Sequence, residues 1–214
     1  MEMKSKVILK ACPDYEKSRI NAVVKEGFEE LGVKPYGRTM VKPNLVFAHP
    51  RWARHPYSDP RLVEGIVDVL REKGVESVQI GERCGIGVPT RALFKMAGYQ
   101  PMVERTKIKC ICFEEKRQEE VSLRKGVVHR SLHVAKEFLD SDFKVYVPKL
   151  KYHLACKMTN TLKLNMGILD CKERLMGHHY DLGEKIVDLL EVGYPDITIV
   201  DGVTIGNGCE VCPR

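Results

Sequence analysis

Apolar residues change spacing along this chain in a regular way, from a period of two to a period near 3.6 and back. Residues 6–11 (KVILKA) alternate and predict a first strand. The stretch 14–31 then carries Ile20, Val23, Val24, Phe28 and Leu31 at helical spacing. Residues 39–45 predict a second strand, stopped at Pro43, which has no N–H for a ladder. Asp59-Pro60 is a helix start, an N-cap followed by proline at the first helical position. The helix behind it places Leu62, Val63, Ile66, Val67 and Leu70 on one face, and Gly74 ends it. A third strand follows at 77–80, then a glycine-rich turn and a short helix over 89–97 closed by Gly98.

The middle of the chain is less regular. Residues 107–113 alternate, setting Ile108, Cys110 and Cys112 on one strand face. The charge run 114–120 reads as a solvated loop or hairpin tip, and Arg124-Lys125-Gly126 as a turn between two short strands. Segment 101–132 is therefore expected as an irregular antiparallel β insertion or edge. Residues 132–139 predict a helix with 140–142 as its polar exit. Strands at 144–147 and 197–200 enclose helices near 159–169 and 181–191, the latter opening with Asp181 and Glu184 at capping-box spacing. Repeated strand–helix units imply an α/β fold: a mostly parallel sheet with helices on both faces and a small antiparallel insertion or edge. The expectation is one domain over 1–214.

Composition narrows the function classes. With 214 residues, 43% of them hydrophobic and 30% charged, the chain can bury a full core, and the composition argues against disorder. A net charge of +6 suits small anions or an acidic partner. Aromatics make up only 7% and no basic stretch is interleaved with them, which argues against nucleic acid. No run approaches the ~20 apolar residues of a membrane span, and residues 1–10 lack the apolar core of a signal peptide. A cytoplasmic, membrane-free protein is expected, with its oligomeric state open. In a reducing compartment its eight cysteines point to free thiols, metal ligands or redox chemistry.

Open α/β sheets bind ligands outside the carboxyl ends of their strands. Those ends carry Lys42-Pro43-Asn44, Gly81-Glu82-Arg83-Cys84, Pro148-Lys149-Leu150-Lys151-Tyr152-His153 and Asp201-Gly202. Proline fixes φ and holds the residue before it extended, so Lys42 and Asn44 are pre-organised for a carboxylate or phosphate. The plainer reading is a strand-terminating turn with a solvated lysine. Val147-Pro148-Lys149 repeats the arrangement at a second strand. Lys151 and Lys163 extend the basic character, and Thr159 or Asn160 is placed to cap the following helix. His153 is a candidate for proton transfer and Asp201 for orienting a base or holding a cation. Gly85-x-Gly87 is neither a Walker loop nor a dinucleotide fingerprint. His178-His179 reads as a polar loop.

Cys209-x-x-Cys212-Pro213 sets two thiolates within reach of one zinc or one iron–sulfur cluster, or forms a dithiol pair. Cys84, Cys156 and Cys171 are the candidates to complete a ligand set, against the alternative of inert thiols.

Taken in order, Val41-Lys42-Pro43-Asn44-Leu45, Asp59-Pro60 with Gly74, Val78-Gln79-Ile80-Gly81-Glu82, Val147-Pro148-Lys149-Leu150-Lys151-x-His153, Thr159-x-x-Leu162-Lys163 with Gly167, and Ile199-Val200-Asp201-Gly202 form a set. It resembles the domain-of-unknown-function family 362, uncharacterised α/β proteins often fused to ferredoxin-type iron–sulfur modules. The resemblance runs from about residue 40 onward. It departs at Leu164, which separates Lys163 from Asn165 where the family has Lys-Asn. Family members continue beyond the Asp-Gly strand, so the resemblance implies a domain incomplete at its C-terminus. No ferredoxin cysteine series is present in the sequence.

Three functional expectations result. One is a redox-associated protein holding a [4Fe-4S]-type cluster through Cys209, Cys212, Cys156 and Cys171, with a ferredoxin-type electron partner. The second is an enzyme or binding protein for a small anionic metabolite, with Lys42, Asn44, Lys149, Lys151 and Lys163 as its ligand-binding set and His153 and Asp201 as its catalytic pair. The third is a non-catalytic partner subunit.

Overall fold

The computed structural model describes residues 5–49, 56–85, 87–153, 155–175 and 180–206. Residues 6–11 join no ladder among the described residues, and Val7 and Leu9 are 88% and 97% exposed. The alternation there has no sheet to face. Lys10 instead pairs with Glu26 and Glu30 of the first helix, α1 (Lys17–Leu31). The Glu16 side chain caps α1 through the Ser18 and Arg19 N–H groups, and Gly32, at φ 68°, turns the chain out of it.

Then come β1 (Arg38–Pro43), α2 (Pro60–Glu72), β2 (Ser77–Glu82), α3 (Thr90–Met96), α4 (Gln100–Thr106) and β3 (Lys109–Cys112). Asp59 caps α2 by accepting from the Arg61 N–H at 2.9 Å, with Pro60 at the first helical position. The antiparallel pair β4 (Gln118–Ser122) and β5 (Ser131–Ala135) follows, then the single turn α5 (Lys136–Leu139). The chain continues with β6 (Phe143–Val147), β7 (Lys149–His153), β8 (Lys157–Thr159), α6 (Thr161–Leu164), a 3-10 turn at Asn165–Gly167, α7 (Cys171–Leu175), α8 (Leu182–Gly193), β9 (Ile197–Thr198) and β10 (Asp201–Gly206).

The main sheet has the order β3-β2-β1-β6-β9, and every pairing in it is parallel. Strand order reverses between β1 and β6, which makes that gap the switch point where α/β sheets open a crevice. A second sheet, β10-β7-β8, continues from the end of β6. Two cores sandwich the main sheet. Val41, Ile80, Val145 and Val147 pack with Ile20, Phe28, Ile66 and Leu70 of α1 and α2. Met40, Ile111 and Tyr146 pack on the other side with Leu132, Phe138, Leu164 and Leu189. Each such side chain contributes about 1.5–3 kcal/mol when taken out of water.

Three sequence expectations change. Strand 107–113 becomes β3, which pairs parallel with β2 at the edge of the main sheet, with Ile108, Cys110 and Cys112 on one side as expected. The antiparallel component is the β4–β5 pair. The helix expected over 132–139 is a strand followed by one turn. Leu132 and Val134 are buried while His133 between them is exposed, a period of two. Asp181 does not build a capping box: it sits left-handed at φ 50° and its side chain caps nothing. The anchoring carboxylates of α8 lie further along. Asp188 accepts from the Val127, Val128 and His129 N–H groups at 2.8 Å each, and Glu191 from those of Arg124 and Lys125. The β4–β5 loop is thus fastened to α8.

Candidate functional site

Lys42 leaves β1 on the same side as Met40, into the second core, and is fully buried. Its ammonium donates to Glu82 Oε1 at 2.6 Å, and Glu82, at the end of β2, also accepts from the Arg83 N–H at 2.8 Å on that same oxygen. Burial holds the Glu82 carboxyl above the usual carboxylate range and the Lys42 amine below its own, since each charge has lost its water. The backbone passes over this pair at Gly167. A Cβ there would strike both Glu82 Oε1 and Lys42 Nζ, so a side chain at 167 would enter only by shifting the ends of this buried pair. Asn165, two residues earlier, accepts the Tyr146 hydroxyl at 2.6 Å and fixes the turn against β6.

A small cleft opens beside the pair. Asn44, Leu45 and Val46 line it from the exit of β1, Glu82 and Arg83 from β2, and Thr159 from β8. Lys163, Gly167 and Arg174 close the other side. Arg174, on α7, donates to the carbonyls of Arg83 at 3.2 Å and Cys84 at 2.5 Å. Arg83 donates to the carbonyl of Leu169 and to Gln118 Oε1. Both guanidinium groups are almost fully buried, and desolvation lowers both from the usual arginine value. Eight buried side-chain polar atoms among the described residues lack a protein partner, and four of them belong to cleft-lining residues: Asn44 Oδ1, Thr159 Oγ1, Arg83 Nε and Arg174 Nε. Buried polar atoms are normally paired, so these four, on residues that line one cleft, retain hydrogen-bonding capacity that a polar ligand or water would satisfy.

The second lysine–proline strand end is arranged differently. Lys149 Nζ meets three oxygens: Thr204 Oγ1 at 2.7 Å, the Tyr15 hydroxyl at 3.0 Å and Asp201 Oδ2 at 3.1 Å. Asp201 also accepts from the Tyr15 hydroxyl at 2.7 Å and from the Asp59 N–H at 2.9 Å. All three ammonium protons and both carboxylate oxygens are engaged within the fold. Burial lowers the Lys149 amine, with Asp201 opposing, and raises the Tyr15 phenol. This cluster ties the segment before α1 and the start of α2 to β7 and β10.

The remaining expected residues are dispersed. Lys151 is buried and donates to the Pro56 carbonyl at 2.7 Å. His153 is buried, and its Nδ1 accepts from the Ala155 and Cys156 N–H groups at 3.1 and 3.2 Å, which leaves any proton of the neutral ring on Nε2. Asn160, not Thr159, caps α6, a single turn. Lys163 and Asn44 do reach the cleft, and Lys42 stands behind it. Cys156 lies between β7 and β8, and Cys171 is exposed at the start of α7. Cys209, Cys212 and His178-His179 lie outside the described residues. Among the described residues no three histidine, cysteine or acidic side chains converge as an ion would require, so they assemble no four-thiolate cluster site. No described helix is long and apolar enough to cross a membrane. Sequence reasoning passed over Arg83, Arg174, Thr159 as a lining residue, and the function of Gly167. The polar run Glu82-Arg83 after a strand and the motif series containing Thr159 and Gly167 were the signals for three of these, and Arg174 had none.

Residues 39–212 match the family described as a domain of unknown function, DUF362. Thylakoid-associated protein sll1697 of Synechocystis is 27% identical over 219 residues, covering 96% of this chain and 66% of that protein. Among solved structures, a Thermotoga maritima protein superposes with a TM-score of 0.53 at 13% identity, over 90% of this chain and 52% of its own. The lactate racemase apoprotein of Thermoanaerobacterium thermosaccharolyticum gives 0.56 at 15% identity, over 85% and 48%. At such identities these neighbours share the α/β fold. The chain spans about two thirds of the curated relative and about half of the solved structures.

Proposed function

We infer that this chain, which belongs to the DUF362 family of domains of unknown function, binds a small carboxylate or phosphate metabolite in the cleft at the ends of β1 and β2. The observation carrying this reading is the concentration of partnerless buried polar atoms on Asn44, Thr159, Arg83 and Arg174. Two of those atoms are guanidinium N–H donors, and Lys163 adds a third cation to the lining. Arginine supplies planar paired donors matched to carboxylate and phosphate oxygens. Asn44 Oδ1 and the Thr159 hydroxyl add capacity for a ligand hydroxyl or amine. The cleft has a volume of about 20 Å³, close to the room one water needs, so it admits one oxygen of a small anion whose remainder stays at the mouth.

The test is titration with acetate, sulfate and inorganic phosphate, read by calorimetry and by thermal shift. Lys163→Met is expected to weaken binding about tenfold, the effect of losing one charge-assisted contact of roughly 1.4 kcal/mol. Silence with all three anions, or equal binding by Lys163→Met, would reject the cleft as an anion site.

The redox-associated reading rests on the sequence pair Cys209 and Cys212, and its measurement is separate. Anaerobic reconstitution followed by iron and sulfide analysis should give stoichiometric metal if that pair belongs to a cluster.

A further inference from the structure

The Glu82 carboxyl stands at the wall of the cleft where the anion is proposed to bind. Both of its hydrogen bonds, from Lys42 Nζ and the Arg83 N–H, fall on Oε1. Its side chain is 3% exposed and lines the cleft. An oxygen of an anion held by Arg83, Arg174 and Lys163 that enters this space of about 20 Å³ therefore meets the Glu82 carboxyl. Two anionic oxygens in contact repel, and low-dielectric walls enlarge the repulsion. A proton between them converts the contact into a charge-assisted O–H···O⁻ hydrogen bond.

Resting on the anion-site reading above, we propose that Glu82 enters the bound state as its neutral acid, taking one proton from solvent and donating it in a hydrogen bond from Oε2 to the anion. The cleft is then a proton-coupled anion site, and Glu82 is its proton-exchanging group. Lys42 is a positioning residue: with the Arg83 N–H it occupies Oε1, and Oε2 has no hydrogen bond among the described residues. Gly167 holds the pair under the backbone.

The surroundings leave this pair as the group that titrates. Lys42 faces Glu82 from β1, Arg174 from α7, and Arg83 from the exit of β2. Lys163 lies across the cleft on α6. Guanidinium groups stay charged at any ordinary pH. The Cys84 thiol and the Tyr99 and Tyr146 hydroxyls also feel the Glu82 charge, and burial raises all three, which keeps them neutral. Desolvation favours loss of charge at both Glu82 and Lys42.

Calorimetry of the full chain with sulfate, which does not titrate near neutrality, tests the coupling from about pH 6 to 9 in buffers of differing ionisation enthalpy. Uptake is expected to rise toward one proton per anion, with affinity falling about tenfold per pH unit once the unliganded Glu82 has lost its proton. Glu82→Gln donates the same hydrogen bond without titrating, so it should bind sulfate with no uptake and a flat pH profile. If that variant does not fold, Lys42→Met/Glu82→Gln, which removes the stranded amine, serves in its place. Sulfate binding by the wild type with no uptake at any pH overturns the proton coupling and leaves the anion site standing. Uptake persisting in the glutamine variant also overturns it. Failure of sulfate and acetate to bind at all overturns the anion site itself.

Discussion

Lys42-Pro43 and Pro148-Lys149 look alike as sequence, each a lysine beside a proline where a parallel strand ends, yet their amines meet opposite conditions. Lys149 has three oxygen partners and a carboxylate that is itself fully engaged. Among the described residues Lys42 has one hydrogen-bond partner, Glu82, and that partner borders a cleft with four partnerless buried polar atoms on its lining residues. The proline sets backbone direction at both places. What the amine finds there depends on segments far away in sequence: Tyr15 and Thr204 at one strand end, Gly167 and Arg174 at the other. The closed cluster is satisfied within the fold, and the open one is the strand end proposed to meet a ligand.

The largest expected effect breaks the closed cluster. Lys149→Met strands the Asp201 carboxylate in a buried position, and breaking such a pair from one side costs about 3–5 kcal/mol. Urea unfolding measures it. A loss under about 1 kcal/mol would mean that the cluster does not hold its four segments together. Where the variant stays folded, its sulfate affinity should equal that of the wild type, because no cluster residue lines the cleft.

Gly167→Ala acts on the open side. Its new Cβ must displace the Glu82 carboxyl or the Lys42 amine, and overpacking of this kind costs about 1–3 kcal/mol. Sulfate affinity should fall with it, by about tenfold, equal to about 1.4 kcal/mol. An alanine variant as stable and as tight-binding as the wild type would show that the turn yields easily and that Gly167 does not set the pair.

The sequence carried the frame of this comparison better than its content. The parallel sheet, the start of α2 at Asp59-Pro60 and the polar strand ends are local matters of periodicity, capping and proline geometry, and they could be read directly. Lys42 and Asn44 were proposed by the same rule about strand ends, and Lys163 from the basic residues leading into the next helix; the structure sets Asn44 and Lys163 on the lining of the cleft. Arg174 was not, because its partners are carbonyls of residues 83 and 84, and no local pattern marks a side chain that returns across the fold. The helix expected over 132–139 failed because Leu132 and Val134 face the second core in a strand, a short apolar run whose period only its tertiary partner decides. Similarly, nothing near residues 6–11 announces that no strand pairs with them.

A pair of isosteric threonine changes sharpens the contrast at smaller scale. Thr204 Oγ1 accepts from Lys149 at 2.7 Å, so Thr204→Val removes a made hydrogen bond and should cost about 0.5–1.5 kcal/mol. Thr159 Oγ1 is buried without a protein partner, so Thr159→Val relieves an unsatisfied hydroxyl and should gain up to about 1 kcal/mol. It should also weaken sulfate binding a few-fold. Equal losses at both positions would erase the distinction between closed and open strand ends.

The smallest effect separates stability from binding on α7. His133 Nδ1 lies 2.8 Å from Glu173 Oε1, and the His133 N–H donates to the same carboxylate. The hydrogen bond to Glu173 raises the His133 pKa. The folded state therefore holds this proton more tightly than the unfolded chain, whose histidine titrates near ~6.5. The added stability is fully present below that value and is lost as pH rises through the higher folded-state value. Glu173→Gln should flatten this part of the profile, by an amount kept small because the imidazole is half exposed. Glu173 neighbours Arg174, so the two proton-linked groups act on one helix but report differently. Thermal unfolding at about pH 6 and 8 should lose its His133 component in the glutamine variant, while the pH dependence of sulfate affinity, assigned to Glu82, should survive. If both dependences vanish together, the cleft takes its pH response from the α7 clamp and not from Glu82.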